Sequence, residues 1–523
     1  MHDARRAKLK PPGHQTLFEN RGGHLFPSLE DSSRTPTNLP SRRLFIFSVL
    51  AILSLSLFSP GARCSSFNSP GLQVRLKTRL TSYRAKAGDR FECVVLSSWI
   101  ENNQVLIPQG AKVRGHIGRA TSVGLGVRHE RARLDLVFDD FVTADGQTFP
   151  LYAKLSAVDN AREQVTAQGA VRGVIAASQP DELIFGVWSA PSLQMLSRSL
   201  MGLTGVSHMI SSALSLGPAG AGGMLALRLT LFRFPEPEIQ YPPGTDMRLE
   251  VDHAKQQGVN EIPDLPQAAP EAVTEWIDKE PFGIDRRDSR PVGDIVNLAF
   301  LGSREQLTHA FAAAGWAEAD PASRKTKTQA LYAFNAMRAY ATAPVSALLY
   351  KGTLPELVFE KSLNTITKRH HIRVWYAGVV DGRELWLGAA THDTGASFSL
   401  HSFAFTHKID QNIDDERDKV ATDLRFAGCI DSEMRVDRPA AASGVLEGGT
   451  LTDGAATVLS MADCQASDAP VEAAPKPGNG FSRLTRRMIL EARNHVEREN
   501  LYYWTYQLVK RAHNHASSLN RPL

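Results

Sequence analysis

Along residues 72–155 the apolar side chains recur with a period of two. Val74 and Leu76, then Phe91, Cys93 and Val95, then Val113 and Ile117, then Leu134, Leu136 and Phe138 alternate with polar residues or with residues of a second face. A period of two places every other side chain on one face of an extended strand and cannot keep one face of a helix apolar. Gly88-Asp89, Ile107-Pro108-Gln109-Gly110 and Asp145-Gly146 punctuate the runs, and Asp-Gly is a hairpin signal ahead of Phe149–Leu155. This segment is therefore β-rich, with little room for long helices.

From Asp294 the pattern changes. Ile295, Val296, Leu298, Phe300 and Leu301 form an apolar strand; Ser303 and Gln306 make a capping box, Leu307, Phe311 and Ala314 share a helical face, and Gly315 closes the helix. Thr328–Tyr340 reads as a second helix and 414–427 as a third, with Val420 and Leu424 inward and Gly428 as its stop. Strands are expected at 371–376, at 384–390 after the Asp381-Gly382 turn, and at 402–409, with a closing hairpin over 450–459 around Asp453-Gly454. The chain thus reads as multidomain: an N-terminal all-β domain, barrel- or sandwich-like, over 72–252, and a C-terminal α+β domain over 291–464. The proline-punctuated stretch 253–290 is expected to link them, with Trp276 docking it, and 465–480 is a second linker. The tail 481–523, eight basic residues against three acidic with Leu501-Tyr502-Tyr503-Trp504 in its middle, suits either an anionic membrane surface or a helix packed on its own domain.

Leu44–Phe58 is an uncharged apolar run behind Arg42-Arg43, with Ser59, Pro60, Gly61 and Ala62 after it, and residues 1–43 form a Pro-, Ser-, Arg- and Gly-rich extension. Basic flank, short apolar core and small residues describe a secretory signal over 44–64, and a tilted anchor uses the same residues. A lipid on Cys64 is the third alternative, with Arg63 against it. All three imply export to the cell envelope, periplasmic or membrane-anchored and facing outward. Export permits disulfides: Cys429 pairs with Cys464, and Cys64 with Cys93, in one connectivity, while buried thiols are the other reading. Residues 199–227 carry six glycines and no Asp, Glu, Lys or Arg, which suits a membrane insertion or a buried pair of small-residue helices interrupted at Gly217-Pro218.

Several classes are excluded. A net charge of +4 over 523 residues is too weak for a dedicated nucleic-acid binder. There is no C-x-x-C pair, no G-x-S-x-G elbow and no Walker-type loop, and Gly124-Leu125-Gly126 is a turn in the β domain.

Two resemblances follow from ordered motifs. AKAGDRFECVV, VLIPQGAKVRGHIG, RLDLVFDDFVTADGQTFPL and EIQYPPGTDMRLEV resemble the β-rich C-terminal domain of TrbI-type conjugation-channel subunits, in which a helical insertion before the closing strand can reach the outer membrane. VNLAFLGSREQLTHAFAAAGWAEADPAS, TAPVSALLY, KRHHIRVWY, LWLGAATHDTG and THKIDQNIDDERDKVATDLRFAGC, within 291–464, resemble the C-terminal domain of LssY-type proteins. That family has no agreed activity. Some members join the domain to a lipid phosphatase whose Ser-Arg and His-x-x-x-Asp signature fails here, because Ser197-Arg198 is followed by His208 at the wrong spacing with no Asp behind it.

The C-terminal motifs contain a polar cluster. His371, His392 or Asp393, and His407 lie on or at the ends of expected strands. They are ligand candidates, and His371, His392 and His407 are the candidate set for a divalent metal, because imidazole and carboxylate are first-row metal donors. Arg373 and Arg417 are candidates to clamp a phosphate or carboxylate, and Asp410 or Glu416 to act as base on a metal-bound water. The structural alternative treats His370-His371 as one outward and one satisfied histidine, Asp414–Glu416 as helix N-terminal charges, and Glu416–Arg417–Asp418 as surface pairs. The leading expectation is a non-catalytic envelope scaffold or binding protein tied to secretion or surface assembly. Its expected partners are envelope proteins or other copies of itself, and its membrane contact runs through 44–58 and by the insertion reading 199–227. The alternative is a metal-dependent hydrolase of phosphate esters or envelope polymers.

Overall fold

The computed structural model describes residues 71–125, 129–174, 217, 219, 237–253, 255–256, 267–280, 283–286, 294–335, 338–346, 348–399, 404–438, 444–445, 450–464, 485–490 and 493–494. The segments 1–43, 44–64 and 465–480, and all of 199–227 but Gly217 and Ala219, lie outside the described residues. Among the described residues no helix is long and apolar enough to cross a membrane.

The N-terminal domain is all-β. Strands β1 (Leu72–Leu76), β2 (Arg90–Val95), β3 (Lys112–Thr121), β4 (Arg133–Val142), β5 (Ala153–Val158), β6 (Gln164–Val165), β7 (Ala170–Arg172) and β8 (Asp246–Val251) form one sheet in the order β6-β7-β4-β3-β2-β1-β8-β5. The far edge, β5, returns against β6 and β4, so the sheet nearly closes into a barrel. Its interior holds the alternating residues of the sequence pattern: Val74, Leu76, Phe91, Cys93, Val113, Leu134 and Phe138 are all buried. Gly115 on β3 permits this packing, because a Cβ there would stand 2.3 Å from the Val137 carbonyl oxygen and 2.5 Å from the Phe91 ring. Phe91 meets Phe138 edge-on at 5.5 Å. The Asp145-Gly146 turn makes the expected hairpin, pairing β4 with Thr148–Pro150.

The C-terminal domain is α+β. Its sheet runs Gln267–Ala268, β14 (Ile430–Val436), β15 (Ala456–Met461), β9 (Leu298–Leu301), β12 (Arg383–Ser399), β11 (Arg369–Val380), β10 (Leu357–Ser362) and Ala317–Glu318, with β13 (Ala404–Ile409) on β12. The helices are α1 (Glu271–Asp278), α2 (Arg304–Ala313), α3 (Arg324–Asn335) and α4 (Ile413–Phe426). Ser303 and Gln306 form the reciprocal cap that starts α2, and Asp381 and Gly382 turn β11 into β12 with φ of 51° and 76°. Both faces of the sheet are covered. Helices α2 and α4 pack on one with Phe300, Ile372, Val374 and Trp386; α1 packs on the other with Trp375, Leu385 and Leu387. That double cover explains why β11 alternates in the sequence yet is buried from Arg369 to Trp375.

Two stretches add to the expectation and one departs from it. Within 253–290, Val273 and Ile277 of α1 enter the C-terminal core and Trp276 packs against it, so this stretch contributes apolar surface as well as spacing. Asp453-Gly454 does not close a hairpin: Leu451–Thr452 pairs with Gly444–Val445, whereas β15 pairs with β14 and with β9. In the tail, residues 485–490 are helical and dock on the β domain, with Leu490 in its core and Arg486 bonded to Glu238 at 2.5 Å. Cys429 and Cys464 form a disulfide, Cys93 is a buried free thiol and Cys64 is outside the described residues.

Phe311 is the keystone of the α2 face, stacked on Phe359 at 4.3 Å and edge-on to Phe300 and Trp316. Phe311→Ala is expected to lower stability by about 3–5 kcal/mol, read as a shift of the urea midpoint at unchanged slope. A shift under about 1 kcal/mol would show that this face is not a close-packed core.

Candidate functional site

The candidate site lies where the barrel meets α4 and the end of the C-terminal sheet. β5 ends at Val158, and the next turn carries Asp159 and Asn160 out of the barrel; Asn160 takes a φ of 52°, which asparagine tolerates better than most residues. Asn160 Nδ2 donates to the Lys361 carbonyl at 3.1 Å, which fixes its amide, so Oδ1 accepts from His392 Nε2 at 2.9 Å. Arg162 N donates to Asn364 Oδ1 at 2.9 Å, Asn364 Nδ2 to Glu163 Oε2 at 2.7 Å, and Lys368 Nζ to the Ala161 carbonyl at 2.9 Å. The loop 159–163 is thereby tied to 361–368 at every step.

Sheet register prepares the other side. Lys361 pairs with His370 and His370 with His392, so the three side chains stand in a row across β10, β11 and β12 on the face that α4 covers. Helix α4 answers with a charged stripe, Glu416, Lys419 and Asp423, at helical spacing beside the apolar Val420 and Leu424.

Lys361, Lys419 and Asp423 form a buried network with Arg75 and Asp246 of the barrel. Asp246 accepts from Arg75 at 2.6 Å and from Lys419 at 2.7 Å; Asp423 accepts from Arg75 at 2.7 Å, Lys419 at 2.6 Å, Lys361 at 2.8 Å and the Trp316 indole at 3.0 Å. Burial pushes both carboxyls up, but the surrounding cations win and hold both below the usual carboxylate range. Burial also opposes the charge on Lys419, and Asp246 with Asp423 raises it back above its ordinary value. For Lys361 burial prevails, aided by Arg75, and its pKa falls.

His370 lies next to this network. Its Nε2 is 2.8 Å from Asp159 Oδ2 and its Nδ1 2.6 Å from Glu416 Oε2, and the side chain is almost fully enclosed. Burial disfavours the imidazolium, but the two carboxylates bring its pKa up to about 10. His392 stacks on it at 4.4 Å and has Asp410 Oδ2 3.7 Å from its Nδ1.

The residues singled out in the sequence scatter over several environments. His392, Asp410 and Glu416 belong to this cluster. His371, on the opposite face of β11, bonds Thr391 Oγ1 at 2.7 Å, and Asp393 there accepts from Arg369 at 3.1 Å. Arg373 is bonded to Asp294 and to Ser346 Oγ at 2.9 Å. Arg417 is buried rather than on the surface, with Asp453 at 2.7 Å, Asp418 at 2.9 Å and Asp414 at 3.2 Å. Both arginines expected to clamp an anion are therefore held by carboxylates of the chain itself. His407 lies on β13, and its side chain falls outside the described residues. The expected histidine set is not a set: His371 and His392 face opposite sides of the sheet, because their pairing partners alternate. Sequence reasoning missed Asp159, His370, Lys361, Lys419 and Asp423. The stripe at 416, 419 and 423 was visible in the sequence, but a partner 170 residues away was not.

Residues 283–454 match the LssY C-terminus family. The match opens at Gly283, where the short strand Gly283–Arg286 pairs with Asp294–Ile295 and Leu348–Leu349. The matched region thus holds every cluster residue except Arg75, Asp159, Asn160, Asp246 and Arg248 of the barrel. Among solved structures, ComB10 of the Com type IV secretion system of Helicobacter pylori aligns at 13% identity over 35% of this chain and 85% of its own, with a TM-score of 0.18. No curated protein matches the chain.

Removing one member of the network leaves buried cations uncompensated. Asp423→Ala is expected to cost about 3–5 kcal/mol in chemical denaturation. Because the folded pKa of Asp423 is depressed, its contribution is present above the unfolded value near 3.8 and is lost as pH falls below it. The loss of stability between pH 4 and pH 2 should therefore be shallower in Asp423→Asn than in the parent, by up to about 1.4 kcal/mol per pH unit. Parallel acid limbs would show that Asp423 does not carry the ion pairs.

Proposed function

We propose that the chain is an exported, envelope-associated scaffold or binding protein, in which the barrel and the LssY C-terminal region work as one rigid platform. The observation that carries this reading is the commitment of the polar side chains: Arg373, Arg417, His370 and Glu416 are each buried against partners within the chain. Groups held in this way fix a shape, and a hydrolytic centre needs groups directed at a substrate. The signal or anchor read over 44–64 and the Cys429–Cys464 disulfide both support an oxidising compartment.

The test uses the full chain with a C-terminal tag, expressed in a bacterium with an envelope. Protease treatment of spheroplasts should degrade the tag, and thiol alkylation followed by mass spectrometry should find Cys429 and Cys464 unreactive until reduced. A protected tag together with freely alkylated cysteines would overturn export, and the envelope role with it.

A further inference from the structure

His370, His392 and Asp159 sit together for a reason the ion pairs do not exhaust. One ligand atom from each lies within 4.8 Å of the others. Two are imidazole nitrogens and one is a carboxylate oxygen, a donor set that suits zinc-class ions better than magnesium or calcium. We propose that this junction binds one divalent transition-metal ion, held by Asp159 of the barrel and by His370 and His392 of the C-terminal region.

Four further observations support the site. His370 has a carboxylate at its outer ring nitrogen, Glu416 at 2.6 Å from Nδ1, while His392, whose Nε2 donates to Asn160, carries its lone pair on Nδ1, 3.7 Å from Asp410. Such an outer carboxylate orients a metal-binding histidine and raises its basicity. A cavity of about 20 Å³, the size of a single water or ion, opens beside His370 and His392; Glu416 and Asp410 line it and Asp159 does not. Asp159 Oδ1 and Glu416 Oε1 are buried without a hydrogen-bond partner among the described residues, although each side chain is at least nine-tenths buried. Finally, the junction is acidic: Asp159, Asp410 and Asp415 all face Arg248, and Asp159 and Glu416 both face His370.

Lys419 and Arg248 also line the cavity, and their charge counts against a cation. Lys419 is neutralised by Asp246 and Asp423 at 2.7 and 2.6 Å, and Arg248 faces Asp415, Asp159 and Asp410. Without a metal, a proton on His370 Nε2 faces Asp159 and one on Nδ1 faces Glu416. A metal takes the Nε2 lone pair in its place and leaves Nδ1–H donating to Glu416. The set differs from the one expected from sequence, sharing only His392 with it, and it draws one ligand from each side of the domain junction plus a second from the C-terminal sheet.

The full chain, freed of metal by chelator dialysis, is titrated with Zn²⁺ in a calorimeter, and bound metal is counted by mass spectrometry. One equivalent should bind and raise the thermal unfolding midpoint. His392→Ala and Asp159→Asn should each weaken binding at least 100-fold, while His309→Ala, an exposed histidine, should not. Near-UV circular dichroism checks folding. His392→Ala leaves both His370 ion pairs in place, so it remains decisive if Asp159→Asn does not fold. Absence of saturable Zn²⁺ binding by the parent chain, or equal affinity in folded His392→Ala, would overturn the proposal and leave His370 as an imidazolium clamp beside a water-sized cavity.

Discussion

Asp423 has no exposed surface, and it is held by Arg75 from the barrel and by Lys361 and Lys419 from its own domain. A carboxylate in that position is intolerable without its partners, because desolvating one ion costs several kcal/mol and only close, well-directed counter-charges offset it. The apolar cores do not impose the arrangement. The barrel core and the two C-terminal layers are separate clusters, and among the described residues Leu363, just past β10, packs against the barrel core. Apolar contact tolerates sliding and rotation. Paired buried charges do not, so the relative placement of barrel and C-terminal sheet follows from Arg75, Asp246 and Asp159 meeting their partners.

The same burial sets what the site can do. Catalytic groups need a face open to a substrate, whereas Arg417 and Arg373 end in carboxylates of the chain and His371 ends in Thr391. Asp246, Asp423, Lys419 and His370, all with shifted titration, lie between the barrel and the C-terminal sheet. Perturbed groups do mark functional sites, but structural ion-pair networks perturb them equally. Here the buried geometry holds the two domains together, and a metal at the junction would act as a further tie between them.

Much of the fold was legible from local rules. Period two over 72–155, the Asp145-Gly146 and Asp381-Gly382 turns and the Ser303–Gln306 cap are all decided within a few residues, and each appears in the structure. Where the outcome depended on distant partners, local reading failed. Asp453-Gly454 resembles a hairpin, yet β15 finds β9 in parallel from more than 150 residues earlier. Arg417 resembles a surface residue beside Asp418, yet Asp453 and the Ala455 carbonyl enclose it. The site failed for the same reason, since Asp159 approaches His370 only after the two domains have packed.

The alternation of β11 shows how finely the site is specified. Arg369, His371 and Arg373 point to one face, where Glu360, Asp393 and Asp294 receive two of them as ion pairs. Burial there is deep enough to push the Glu360 carboxyl up to about 7, against the pull of Arg369 and the Ala343 amide. His370 points the other way, into Asp159 and Glu416. A one-residue slip of β11 would exchange the two faces, placing His370 beside Glu360 and leaving Asp159 and Glu416 to meet Arg369 or His371. Each face has its own acidic partners, so the register of this strand is specified by charge as well as by the apolar Ile372, Val374 and Trp375. The junction with the barrel therefore depends on a choice made inside the C-terminal sheet, one residue at a time.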